Sequence, residues 1–122
     1  MPHITLEYSA NLFESRINSD LLQNLNSLLA SLGPFNIEDI KSRAIRHEAY
    51  AVAEGSKNRA FVHLQLAVLP GRPPELMRTV TERLMEFLKQ NFSRSFKELK
   101  CSFSIEVREL IKDSYSKASS GS

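Results

Sequence analysis

The chain has 122 residues, 42% of them hydrophobic and 25% charged, which excludes collagen-like and largely disordered classes and fits one domain around one core. Its 16 basic and 14 acidic residues are interspersed and leave a net charge of +2, so the chain carries no strong field for nucleic acid or a membrane surface. No apolar run approaches the roughly 20 residues of a membrane helix, and Met1 to Glu7 has neither a basic leader nor a signal-like apolar stretch; a cytoplasmic location is the expectation.

Residues 3–8 alternate apolar Ile4, Leu6 and Tyr8 with polar Thr5 and Glu7, the two-residue period of a half-buried strand with Pro2 at its mouth. From Ser19 the spacing changes. Leu21, Leu22, Leu25, Leu28, Leu29 and Leu32 recur three and four apart, predicting an amphipathic helix capped by Asn18 or Ser19 and stopped at Gly33-Pro34. Ile40 to Tyr50 reads as a strand with Lys41 and Arg43 on one face and Arg46 on the other, followed by a turn over Glu54 to Asn58.

Ala60 to Leu69 is a nearly continuous apolar run, the pattern of a central strand covered on both faces. Pro70-Gly71-Arg72-Pro73-Pro74-Glu75 then turns into a second helix, because proline is tolerated at the first helical position and Glu75 complements the helix dipole. Leu76, Val80, Leu84 and Leu88 supply its buried stripe. Cys101 to Val107 alternates again, with Cys101, Phe103, Ile105 and Val107 on one face; the single cysteine cannot build a disulfide framework and reads as a small core residue. Beyond Lys112 a serine-rich stretch shows no periodicity, so the expected division is one domain over 1–111 and a polar, flexible tail over 112–122.

Strand, helix, strand, repeated, predicts an α/β (α+β) fold of tandem β-α-β repeats. Right-handed crossovers give parallel pairs within each half, and the halves join into a four-stranded sheet with two helices on one face. The other face is expected to be rich in apolar positions with no helix to cover it, which predicts burial against further copies of the chain.

Candidate chemistry is sparse. His3, His47 and His63 are too scattered for a metal motif, and the chain has neither a Gly-rich phosphate loop nor a Gly-x-Ser-x-Gly elbow. Pro2, directly after the initiator, is the notable residue. Methionine aminopeptidases favour a small second residue, and removal of Met1 would leave a ring-fixed secondary amine in place of a proline amide. Apolar burial and nearby cations lower such an amine's pKa towards neutrality, and a two-unit shift costs about 2.7 kcal/mol. Read blandly, Pro2 is only a permissive second residue. Arg72, between Gly71 and a helix start, is placed to hold an anion with help from the helix dipole, or else is a solvated turn arginine. Lys41 and Arg43 either bind a second carboxylate or form a solvated strand edge.

Pro2-His3 leading into Glu7, Ser9 and Asn11, then Ile40-x-Ser42-Arg43, Ala60-Phe61-Val62-His63, Gly71-Arg72 and Phe103-x-Ile105-Glu106 occur in an order and spacing that resembles the 5-carboxymethyl-2-hydroxymuconate isomerases of the tautomerase superfamily. The resemblance runs from Pro2 to about Leu110. It implies a tautomerase-like homotrimer that needs no metal or organic cofactor and acts in the catabolism of aromatic compounds on a small unsaturated keto or enol carboxylate. Pro2 would be general base and acid, Arg72 would hold a carboxylate or polarise a carbonyl, and Lys41, Arg43, His3 and Phe61 would line the substrate site. The chain departs from the family where arginine is expected and Lys41 stands, exchanging a planar two-point contact for a point charge.

Two other readings compete. A tautomerase-fold protein that binds or assembles without turnover would retain Met1 or keep an ordinary prolyl pKa. A ferredoxin-like nucleic-acid module would need stacking aromatics on the open sheet face and a basic patch, and the sequence offers neither.

Overall fold

The alternation in the first strand, β1 (His3–Ser9), buries Ile4, Leu6 and Tyr8 on one side and leaves His3, Thr5 and Glu7 part-exposed on the other. A computed structural model describes residues 1–121. β1 pairs in parallel with β2 (Lys41–His47) and antiparallel with β3 (Arg59–Val68), and β3 pairs in parallel with β4 (Lys100–Glu109). The order β2-β1-β3-β4 joins two β-α-β units through their first strands.

Helix α1 (Ser19–Ser31) starts where the Asn18 side-chain oxygen accepts hydrogen bonds from the amides of Asp20 at 3.1 Å and Leu21 at 3.3 Å, which selects Asn18 over Ser19 as the cap. Helix α2 (Pro74–Asn91) begins on proline, with Glu75 in its first turn. Leu25 and Leu29 of α1 and Val80, Leu84 and Leu88 of α2 join the buried strand residues in one core. Cys101, Phe103, Ile105 and Val107 of β4 pack against that core while remaining partly exposed.

The structure corrects three expectations. β2 stops at His47, short of Tyr50. β3 is not covered on both faces: Ala60, Val62, Leu64, Leu66 and Val68 are buried, whereas Phe61, His63, Gln65 and Ala67 point the other way and are part-exposed. Apolar Phe61 and Ala67 make the run look continuous, but His63 and Gln65 between them keep a two-residue alternation. The helix-free face is therefore mainly polar, carrying Thr5, Glu7, His63, Gln65, Ser104 and Glu106, and is not the apolar surface expected. A sheet with an antiparallel pair can present one face to the core and one polar face outward.

A short helix without a sequence signature, α3 (Ser93–Glu98), follows α2. Its first amides, Arg94 at 2.9 Å and Ser95 at 3.3 Å, donate to the Glu14 carboxylate, so its cap comes from the other end of the chain. Among the described residues, no helix is long and apolar enough to cross a membrane.

Candidate active site

Pro2 is buried at the start of β1, where its carbonyl accepts a hydrogen bond from the Lys41 amide at 3.1 Å. The parallel pairing of β1 with β2 thus sets the chain start beside the first residues of β2. Asp39, at the end of the single-turn 3-10 helix Ile37–Asp39, gathers the charges there. Its backbone oxygen accepts from the Met1 amine at 3.3 Å and from Lys41 Nζ at 2.8 Å, and its carboxylate accepts from Lys117 Nζ at 2.8 Å.

These neighbours change proton affinities. Burial holds the Met1 amine below its ordinary value of 8.0, the Lys41 and Lys117 cations add to that effect, and Asp39 opposes it. The hydrogen bond from Lys117 holds the Asp39 carboxyl below its usual range.

Arg72 enters from the other repeat. Gly71 has φ +112°, a backbone conformation that side-chain-bearing residues rarely adopt, and this turn brings Arg72 back beside β3. Its guanidinium donates to the Leu69 carbonyl at 2.9 Å and lies 4.8 Å from the centre of the Phe35 ring. Among the described residues, its buried Nε has no hydrogen-bond partner. A donor left in this way favours an anion or polar ligand arriving at the same side chain.

Met1, Asp39, Leu69 and Arg72 line a cleft of about 540 Å³, and the C-terminal segment closes it with Lys112, Tyr115 and Lys117. Residues 112–114 form a 3-10 turn that carries Tyr115 to within 3.2 Å of His3 Nε2. Arg43 donates to the other ring nitrogen, His3 Nδ1, at 2.9 Å. Burial, reinforced by Arg43, pushes the His3 pKa down, so the neutral ring is favoured.

The structure thus brings Pro2, His3, Lys41, Arg43 and Arg72 to one end of the sheet. Phe61 is elsewhere. Its ring lies 6.0 Å from that of His47 and 6.2 Å from that of Tyr50, at the far end of β1. His3 pairs with Ala67, and the strand from Ala67 back to Phe61 covers about 20 Å. Asp39, Tyr115 and Lys117 were not singled out from sequence. For Tyr115 and Lys117 the signal there was the presence of two lysines and a tyrosine in an otherwise serine-rich tail.

A concave site with several cations, one carboxylate and a weakened terminal amine suits a small anionic molecule undergoing proton movement. Comparison with known proteins gives the same class. The family model for 5-carboxymethyl-2-hydroxymuconate isomerase matches residues 2–120. The chain is 31% identical over 110 residues to the 5-carboxymethyl-2-hydroxymuconate Delta-isomerase of Escherichia coli, covering 90% of this chain and 87% of that protein. It is similar to the crystal structure of a 5-carboxymethyl-2-hydroxymuconate isomerase from Deinococcus radiodurans R1, with a TM-score of 0.88, 35% identity, and coverage of 98% and 90% of the two chains. At the level of fold alone it also matches a fused 4-OT wild-type symmetric trimer, with a TM-score of 0.72, 13% identity, and coverage of 95% and 91%. The chain therefore belongs to the 5-carboxymethyl-2-hydroxymuconate isomerase family and is an isomerase with the tautomerase fold.

Proposed function

We propose that the protein, with Met1 removed, isomerises an unsaturated keto or enol dicarboxylate of the 5-carboxymethyl-2-hydroxymuconate type, using the Pro2 nitrogen as the proton carrier. The observation that carries this reading is the chain start itself: a buried proline directly after Met1, which lines a cleft together with Arg72, Lys112 and Lys117.

With Met1 attached, the Pro2 nitrogen is an amide and cannot act as a base. Once free, it is a buried secondary amine, and burial disfavours its protonated form. The neutral amine takes the enol proton, and the electron pair moves through the conjugated system. The resulting ammonium returns the proton to a distant carbon, so the substrate gains and loses one proton and the enzyme is restored. Arg72, which lines the cleft, anchors one carboxylate. Lys41 supplies a second positive charge as a compact ammonium.

The support for assembly into a homotrimer is the match to a symmetric trimer of the same fold, not the polarity of the helix-free face. Phe61 lies about 20 Å from Pro2 along its own sheet, so its place as an apolar wall is in a neighbouring subunit's cleft.

The test is ultraviolet-monitored ketonisation of 2-hydroxymuconate by protein whose intact mass shows Met1 removed, beside Pro2→Ala. The reading predicts that the substitution lowers kcat by roughly two orders of magnitude or more, in line with loss of a positioned acid–base group. Equal rates for both proteins would remove Pro2 from the mechanism, and two inert proteins would favour a binding or assembly role.

A further inference from the structure

The C-terminal segment adds a group that the proline mechanism leaves unassigned. Tyr115 lines the cleft that contains the Met1 amine and Arg72, and its hydroxyl lies 3.2 Å from His3 Nε2. Direction can be assigned along this chain of contacts. An arginine guanidinium only donates, so at 2.9 Å from Arg43 the Nδ1 atom of His3 must be the acceptor. A neutral ring that accepts at Nδ1 carries its proton on Nε2, and Nε2 therefore donates to the Tyr115 oxygen. The ring is kept neutral by burial and by the cations around it. With its oxygen already accepting from His3, the phenol has its own proton left to give.

From this geometry, and resting on the isomerase reading of the cleft, we infer that Tyr115 donates a hydrogen bond to the reacting enol or keto oxygen, with His3 and Arg43 as its positioning residues. The division of labour follows from charge. Arg72, Lys41 and Lys117 supply positive charge for carboxylates, which are anionic throughout the reaction. The reacting oxygen carries extra charge only while the proton is in transit, and a neutral fixed donor stabilises that moment without tightening the ground state. The segment 112–117 is thereby part of the catalytic cleft, and it reaches that cleft through two anchors, Tyr115 on His3 and Lys117 on Asp39.

Tyr115→Phe removes the donor and keeps the ring. In Met1-free protein of unchanged melting temperature, ketonisation of 2-hydroxymuconate should lose roughly 100- to 1,000-fold in kcat. KM should stay within about twofold, since a contact made chiefly in the transition state leaves ground-state binding alone. Nitrogen-15 spectra of His3 should show Nδ1 unprotonated and Nε2 protonated, both before and after the substitution, because Arg43 fixes the tautomer. An unchanged kcat in Tyr115→Phe, while Pro2→Ala is inactive, would overturn the role of Tyr115 and leave the isomerase reading intact. A rise in KM at constant kcat would assign Tyr115 to carboxylate binding and overturn the inference, as would a proton on Nδ1. Inactivity of the unsubstituted protein towards the dienol would overturn the inference together with the reading on which it rests.

Discussion

On the helix side of the sheet, Ile4, Leu6, Val62, Leu64 and Leu66 are each 0% exposed. On the other side, the same two strands carry Thr5, Glu7, His63 and Gln65, all partly open to solvent. The polar side is paired within itself. Glu7 accepts from His47 at 2.9 Å, and His63 lies 2.7 Å from the Ser104 hydroxyl and 3.4 Å from the Glu106 carboxylate. Part-exposed pairs of this kind contribute little to stability, typically up to about 1 kcal/mol each. The covered face thus holds the chain together, and the open face is left to set what docks on it. The candidate site lies at one end of the sheet, where the chain start and the C-terminal segment meet.

The sharpest way to break this contrast is to cut equally into neighbouring residues of β3. Leu64→Ala should destabilise the fold by about 2–5 kcal/mol, the usual cost of truncating a fully buried leucine. Gln65→Ala, one residue along and outward, should change the stability of the subunit by no more than about 0.5 kcal/mol. Denaturant unfolding of both variants checks the pair, and comparable losses would mean that the open face also carries folding energy.

A smaller effect is expected in the layer that covers the sheet. Asn18→Ala removes the side chain that caps α1 and should cost about 1 kcal/mol in the same measurement.

The smallest effect lies on the open face. A hydrogen bond from Arg108, with His63 adding to it, holds the Glu106 carboxyl below its ordinary value of 4.5. A depressed folded-state pKa means that the stabilisation is present above the unfolded value and is lost as pH falls through the lower folded one. A carbon-13 titration of the Glu106 carboxyl should therefore have its midpoint below 4.5, and a midpoint at or above 4.5 would mean that the pairing does not form in solution.

Most of the covered face was legible because its signals are local. The leucine spacing from Leu21 to Leu32, the Pro73-Pro74 helix start and the alternation from Ile4 to Tyr8 each depend on a few adjacent residues. Part of the site was legible for the same reason, since Pro2, Arg72, Lys41 and Arg43 sit next to recognisable element boundaries. The remainder depends on pairing between distant segments. The polarity of the open face emerges only when Glu7 is set beside His63 and His63 beside Ser104. Glu14 caps α3 from about eighty residues away, a contact that the sequence near Ser93 does not announce. Asp39, Tyr115 and Lys117 become neighbours of the chain start only after the sheet has formed. Phe61 shows the reverse: its spacing matches the family pattern, but the antiparallel register of β1 and β3 sends it to the far end.

The most direct test of the central claim is a nitrogen-15 titration of the Pro2 amine in Met1-free protein, run beside the pH dependence of kcat/KM for 2-hydroxymuconate ketonisation. Pro2 is buried, and burial disfavours the protonated amine, so the prolyl pKa should lie below that of an exposed N-terminal proline and coincide with the ascending limb of the rate profile. A prolyl pKa no lower than that of an exposed N-terminal proline in a short peptide, or a rate profile that ignores the amine's titration, would contradict a proline base.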